Sequence, residues 1–237
     1  MADYNVQSHA VVSREQWLQA RKALLAKEKE FTRLRDELSR ERRALPWEKV
    51  DKSYVFDGPN GPESLSDLFA GKSQLVVYHF MFNPADEAGC PHCSFWADHY
   101  DAMIPHLGQR DVSFVVISRA PRAKIAPFQQ RMGWTFKWLS SGNSSFNYDY
   151  GASFMPEDVK KPVYNFGTLV PGMGDREGLS VFTKDASGAM FRTYATFARG
   201  IDMFNGTYQI LDLVPKGRDE DPEATQDWVR HHDRYER

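Results

Sequence analysis

The sequence predicts an α/β fold: a central mixed sheet flanked by helices, with a long helix ahead of it. Three observations carry that reading. Apolar runs at 75–82, 112–118 and 136–140 alternate with helical patterns, as expected for a βαβ core with a parallel sheet. The runs 179–184 and 189–194 flank a short turn containing Gly188, which reads as a β-hairpin adding antiparallel strands. Finally, the two cysteines of the chain, Cys90 and Cys93, sit where the first of those apolar runs hands over to a helical stretch.

Taken in order, 1–12 carry no structural signal and read as frayed. Ser13 followed by Gln16 makes a capping box. From Arg14 to Ala44 apolar residues such as Trp17, Leu24, Phe31, Leu34 and Leu38 recur at spacings of three, four and seven between charged residues. Pro46 ends this helix. At roughly 30 residues it spans about 45 Å, longer than a small domain needs. It is therefore expected either to pair with a second copy or to lie on its own domain with a solvated charged face. The expected organisation is a helical arm over 1–46, a globular domain over 47–215 and a charged C-terminal tail over 216–237, partly disordered or docked on a partner.

Within the domain, Tyr54–Phe56 reads as a short strand and 57–62 as a turn rich in Gly and Pro. A short helix over 64–69 stops at Gly71. After the strand at 75–82, an acidic loop leads to the cysteines, and 94–105 reads as a helix with Phe95, Trp96, Met103 and Ile104 on its apolar side. A helix over 121–132 opens at Pro121 and closes at Gly133, with Pro127 expected to kink or split it. Residues 141–178 are rich in Gly, Pro and Ser and read as an insertion or lid. Its aromatic string, Phe146 to Tyr150, is expected to pack the loop rather than line a pocket. A last helix is expected over 201–213.

The chemistry lies at Cys90-Pro91-His92-Cys93. The first turn of a helix leaves backbone N–H groups unpaired, and their partial positive charge favours an anion. A thiolate there is stabilised, its pKa falling from about 8.5 toward about 3.5–7.5. Cys90 would be the exposed attacker, and Cys93, one turn later, the resolving thiol. Pro91 suits a first helical position, where an N–H has no use. His92 brings a titratable positive charge to the sulfurs.

Composition narrows the alternatives. The 237 residues are 41% hydrophobic and 26% charged, enough for a sizeable core, with a formal net charge of -2. Bulk charge therefore points to neither nucleic acid nor an anionic membrane as partner. No apolar run approaches the roughly 20 residues of a membrane span. Met1 to Val12 lacks the basic and apolar regions of a signal peptide. Two cysteines are too few for a disulfide scaffold, so a cytoplasmic location is expected.

The order of elements is similar to the thioredoxin-like fold. More closely, the chain resembles the DUF899 proteins, a bacterial family of unassigned function described as predicted dithiol-disulfide oxidoreductases. The resemblance runs from Val12 to about Asp219. It rests on Val12-Ser13-Arg14-Glu15-Gln16-Trp17, Tyr78-His79-Phe80-Met81-Phe82, Gly89-Cys90-Pro91-His92-Cys93-Ser94, Phe136-Lys137-Trp138-Leu139-Ser140-Ser141 and Tyr194-Ala195-Thr196-Phe197-Ala198-Arg199-Gly200. Two departures from related folds matter. Thioredoxins place a cis-proline just before the strand that faces the dithiol, whereas here Arg176-Glu177-Gly178 precedes Leu179. Peroxiredoxins carry Pro-x-x-x-Thr-x-x-Cys, whereas here Glu87 stands three before Cys90 and Pro84 is one place too close.

The expected function is thiol–disulfide exchange through Cys90, Cys93 and His92, with no cofactor and no metal, acting on protein or low-molecular-weight thiols and disulfides. Two alternatives stand beside it. One is a zinc or copper site joining Cys90 and Cys93 to His79, His92, His99 or His106. The other is a binding or assembly protein without redox turnover, with the long helix and the charged tail as its working parts; a homodimer through the long helix is the expected assembly. His79, on a buried strand, is expected to be a hydrogen-bonded core histidine.

Overall fold

The computed structural model describes residues 9–236; the reading of 1–8 as a frayed start lies outside them. The chain divides into two compact units, Met1–Pro46 and Trp47–Arg237.

Among its described residues the first unit holds one helix, α1 (Arg14–Ala44, 31 residues). The capping box forms as the sequence predicts. The Gln16 backbone N–H donates to Ser13 Oγ at 3.2 Å, and the Ser13 N–H donates to Gln16 Oε1 at 3.0 Å. Glu15 in the first turn and Arg42 and Arg43 in the last suit the helix dipole. The helix buries no residue.

The second unit carries β1 (Glu48–Lys49), β2 (Val55–Gly58), β3 (Gly61–Ser64), β4 (Gln74–His79), α2 (Pro91–Ala97), α3 (Ile104–Gly108), β5 (Val112–Ser118), α4 (Arg122–Arg131), β6 (Lys137–Ser140), α5 (Phe146–Asp149), β7 (Gly178–Lys184), β8 (Met190–Phe197) and α6 (Gly206–Leu211). Its eight strands form one sheet in the order β1-β8-β7-β4-β5-β6-β2-β3. β4, β5 and β6 run parallel, and β7 and β8 join antiparallel beyond β4. This is a thioredoxin-like arrangement: a strand leading to the dithiol helix, a crossover to a parallel strand, then a hairpin.

Alternation along the central strands fills both faces. Tyr78 and Phe80, with Phe114 and Val116, pack on the side of α2 and α4. Leu75 and Val77, with Val115 and Ile117, pack on the opposite side against Leu65, Phe146 and Phe182. Strands buried on both sides explain why these runs read as continuous apolar stretches.

Several elements differ from the sequence reading. The stretch read as a turn at 57–62 is the centre of a hairpin, β2–β3, pairing Gly58 with Gly61 around Pro59-Asn60. It extends the sheet through Asp57 opposite Ser140 of β6. The helix opens at Pro91, the position expected for it, but the pattern read as running on to 105 breaks at Asp98; Pro105 fits the first turn of α3. Around the break, Asp98 accepts from Trp134 Nε1 at 2.8 Å and Asp101 accepts from the Thr135 N–H at 2.8 Å, so side chains take over from the helical ladder. Pro127 leaves α4 a single helix. The last helix is split into a 3-10 stretch, Ala198–Phe204, and α6, which Asn205 caps by accepting from the Tyr208 N–H at 3.1 Å.

The two segments lacking regular patterns are both anchored. In 141–178, Phe146 and Tyr150 join the core, while Phe154 and Tyr164 pack with Phe197. Asp175 accepts from Ser153 Oγ at 2.8 Å and pairs with Arg119 at 3.1 Å. The C-terminal tail, expected to be partly disordered or held by a partner, instead packs on its own domain. Val229 is 2% exposed, and Trp228 meets Phe95 edge-on at 5.3 Å. Arg131 holds Asp233 through two hydrogen bonds of 2.8 Å. No helix among the described residues is long and apolar enough to cross a membrane.

Candidate active site: a dithiol at the start of α2

Cys90 is the N-cap of α2, with extended backbone at φ -58 and ψ 129, and Pro91 follows in the first turn. Its main chain is fixed on both sides. The Cys90 N–H donates to Met81 O at 3.1 Å, tying the helix start to the chain leaving β4. The Cys90 carbonyl accepts from the Ser94 N–H at 3.0 Å and Ser94 Oγ at 2.9 Å. No hydrogen bond of ordinary geometry caps the helix through its thiol, although the N–H groups of His92 and Cys93 face the sulfur and favour its anion. Gly89 fits because nothing larger does: a Cβ there would lie 2.6 Å from Phe128 and 2.8 Å from Phe80.

The helix is held down by its far side. Trp96 Nε1 donates to Ile201 O at 2.8 Å, and Phe95 meets Tyr208 edge-on at 5.2 Å. Each aromatic pair of this kind adds about 0.5–1.5 kcal/mol beyond its buried area.

The two thiols are not joined in a disulfide and are unequal. Cys90 is half-buried, while Cys93 is 1% exposed. The Cys93 thiol donates to the Cys90 sulfur, and this lowers the Cys90 pKa most; burial opposes it, and the backbone N–H groups of Cys93 and His92 add to the lowering. For Cys93, burial pushes the thiol well up, and the negative charge of Cys90 and Glu177 pushes the same way. The Met81 N–H, donating to Cys93 Sγ at 3.3 Å, works against that rise. One thiol is thus readied as an anion, and the other keeps its proton.

The remaining sequence candidates fall in different places. His92 lines a cavity beside Cys93, and its backbone N–H, rather than its ring, is what reaches toward the Cys90 sulfur. His79 lies on the opposite face of β4, its Nε2 2.9 Å from Ser180 Oγ and its ring stacked on Phe146. Burial drops its pKa to about 3, so it is a neutral core histidine, as expected. His99 meets Thr207 Oγ1 at 3.1 Å. Among the described residues no three His, Cys, Asp or Glu side chains converge on a point where a metal would bind, so the Cys/His alternative finds no donor set.

The cavity, of about 290 Å³, also draws on residues the sequence reading did not nominate. Arg176 and Glu177 come from the segment entering β7, Arg199 and Asp202 from the 3-10 stretch, and Thr225 and Gln226 from the C-terminal segment. A signal existed for the first pair, which occupies the place where thioredoxins carry a cis-proline. Among the described residues there is no cis peptide bond. Nothing in the sequence marks Thr225 or Gln226. The C-terminal segment also reaches the residue before Cys90, His231 Nε2 donating to Gly89 O at 2.8 Å.

Comparison with known proteins adds the following. The model of a family described as bacterial protein of unknown function (DUF899) matches residues 6–235. No curated protein matches the chain. Among solved structures, the chain is similar to the peroxidoxin BcpB from Mycobacterium tuberculosis, at 19% identity over 69% of this chain and 96% of that chain, with a TM-score of 0.47. It is similar to a PrxQ mutant from Xylella fastidiosa, at 12% identity over 66% and 88% of the two chains, with a TM-score of 0.41. A peroxiredoxin Q from Xanthomonas campestris is similar at 14% identity over 66% and 89%, with a TM-score of 0.42.

Proposed function

The chain belongs to the DUF899 family, and from that premise and the geometry of the sulfurs we propose that it is a thiol–disulfide oxidoreductase. The observation that carries the reading is the inequality of Cys90 and Cys93: adjacent, not joined in a disulfide, one lowered in pKa and partly exposed, the other raised and buried. Exchange needs that division of labour.

The Cys90 thiolate attacks one sulfur of a substrate disulfide. That S–S bond breaks, the first substrate thiolate leaves and takes up a proton, and a mixed disulfide forms on Cys90. Loss of the Cys90 negative charge removes one cause of the high Cys93 pKa. Cys93 then gives up its proton and attacks the Cys90 sulfur, releasing the second substrate thiol. Two electrons pass from the protein dithiol to the substrate, and the reverse sequence runs from the oxidised pair. His92 acts through its backbone N–H on the Cys90 sulfur.

Thiol trapping followed by mass spectrometry tests the roles. Cys90→Ser abolishes exchange, while Cys93→Ser accumulates the mixed disulfide on Cys90. Equal activity in both variants, or alkylation of Cys90 with a pKa at or above about 8.5, sinks the reading in favour of a binding protein.

The partner for α1 is part of the proposal. Trp17, Leu24, Phe31 and Leu38 recur every seven residues and are 55%, 52%, 65% and 45% exposed. These four hold one core position of a heptad, and the other is apolar at Ala20 and Leu34 but charged at Lys27 and Glu41; a second copy of the chain is the occupant we propose for this stripe.

A further inference from the structure

We propose that the substrate exchanged at Cys90 and Cys93 is a small molecule bearing a carboxylate, held in the cavity beside them. The inference rests on the exchange reading and specifies its substrate class.

Size comes first. Ligand pockets run from about 300 to 1,000 Å³. At about 290 Å³ this one suits a molecule the size of one or two amino acids. His92 and Cys93 line it beside Met81 and Trp96; Cys90 lies just outside the lining, at the N-cap of the same helix.

Access comes second. A protein substrate needs an open shelf along the dithiol. Here Thr225 and Gln226 build a wall of the cavity, and the segment carrying them is pinned. Val229 is buried, His231 bonds the carbonyl just before Cys90, and Asp233 is held by Arg131.

Charge comes third. Arg199 lines the cavity with its side chain 86% exposed, and its contact is Nε to Asp202 at 3.4 Å. Asp202 is already held by Arg218 at 3.0 Å. The Nη groups of Arg199 therefore have no hydrogen-bond partner among the described residues. Arg176, also in the wall, spends its Nε on Pro171 O and likewise keeps its Nη groups. Glu177 and Asp202 stand in the same wall, so its formal charge is balanced, and recognition rests on the planar donors that the two guanidinium groups leave unspent, which fit a carboxylate in a forked geometry.

The test uses the full chain and four disulfides: 3,3′-dithiodipropionate, which carries carboxylates; hydroxyethyl disulfide, which is neutral; cystamine, which carries ammonium groups; and insulin. The expected result is kcat/KM for dithiodipropionate about tenfold or more above that for the neutral and cationic molecules, the worth of one charge-assisted hydrogen bond. Arg199→Gln collapses that ratio toward one, and Arg199→Lys restores part of it. Equal rates for the three small disulfides, or insulin turned over faster than all of them, overturn the inference and leave the exchange reading standing. No exchange with any of the four overturns the exchange reading and this inference with it.

Discussion

α1 runs 31 residues and buries none, whereas α2 runs seven and buries Cys93, Ser94, Phe95, Trp96 and Ala97. α1 is built on local terms: a capping box, charges matched to its dipole, and a pair such as Arg21 with Glu28 at 2.7 Å. α2 has no side-chain cap, and helices shorter than about 12 residues are marginal alone. It exists because the sheet, α6 and the C-terminal segment hold it. The difference teaches where reactivity depends on the fold. The N-cap of α1 is spent on stability, whereas the N-cap of α2 is a cysteine whose capping work is done by packing elsewhere. Damage to the packing of α2 should reach the thiols, and damage to α1 should not.

The largest expected effect is Trp96→Ala. It removes a nearly buried indole and its bond to Ile201 O, at a cost of about 3–5 kcal/mol. Chemical denaturation should report that loss, and alkylation of Cys90 in the folded fraction should shift toward the pH dependence of a free thiol. A variant that loses stability but keeps the wild-type alkylation profile would separate the fold from the reactivity and break the comparison.

A smaller effect is expected at His231. Burial holds its pKa below the ordinary 6.5, opposed by its bond to Gly89 O, and Arg131 and Arg234 lower it further while Asp233 raises it. Donation from Nε2 to Gly89 O leaves Nδ1 to accept from Arg131 Nη2 at 3.0 Å, which suits the neutral ring. The folded chain thus binds this proton less readily than the unfolded chain. The stabilisation is present above the unfolded pKa and is lost as pH falls below 6.5 through the lowered folded value. His79, at about 3, gives the same sign further down. Hydrogen exchange should show the C-terminal segment loosening as pH drops from neutral toward 5. His231→Ala should cost about 1 kcal/mol and weaken that acid dependence. An unchanged exchange pattern in the variant would mean that His231 does not hold the segment.

The same contrast explains what could be read in the sequence. α1 was legible to the residue at its N-cap because its signals are local. The central strands were legible because burial on both faces leaves continuous apolar runs. The Cys90 turn was legible because a strand, a Pro at the first helical position and the cysteine spacing are adjacent in sequence. The break at Asp98 was not, since it depends on Trp134 and Thr135, more than thirty positions away. The hairpin at Gly58 and Gly61 was half-hidden, because turn residues announce a reversal but not that the strands pair. The docked C-terminal segment was hidden for the same reason as the break. Its charged residues look solvated until Arg131, Asp98 and Gly89 O are placed opposite them.

The smallest effect on the thiols is expected from α1 itself. Leu24→Glu with Phe31→Glu puts two charges into the seven-residue repeat without touching the capping box. Light scattering after size exclusion should show wild-type chain as a dimer and the double variant as a monomer. Far-ultraviolet circular dichroism should fall, since a helix with no buried residue loses its main external support once the partner leaves. The melting of the second unit and the alkylation rate of Cys90 should stay as in the wild type. A wild-type chain that is monomeric by light scattering would refute pairing through α1. A change in Cys90 reactivity on altering α1 would show that the long helix reaches the dithiol after all, and that the two helices do not answer to separate physics.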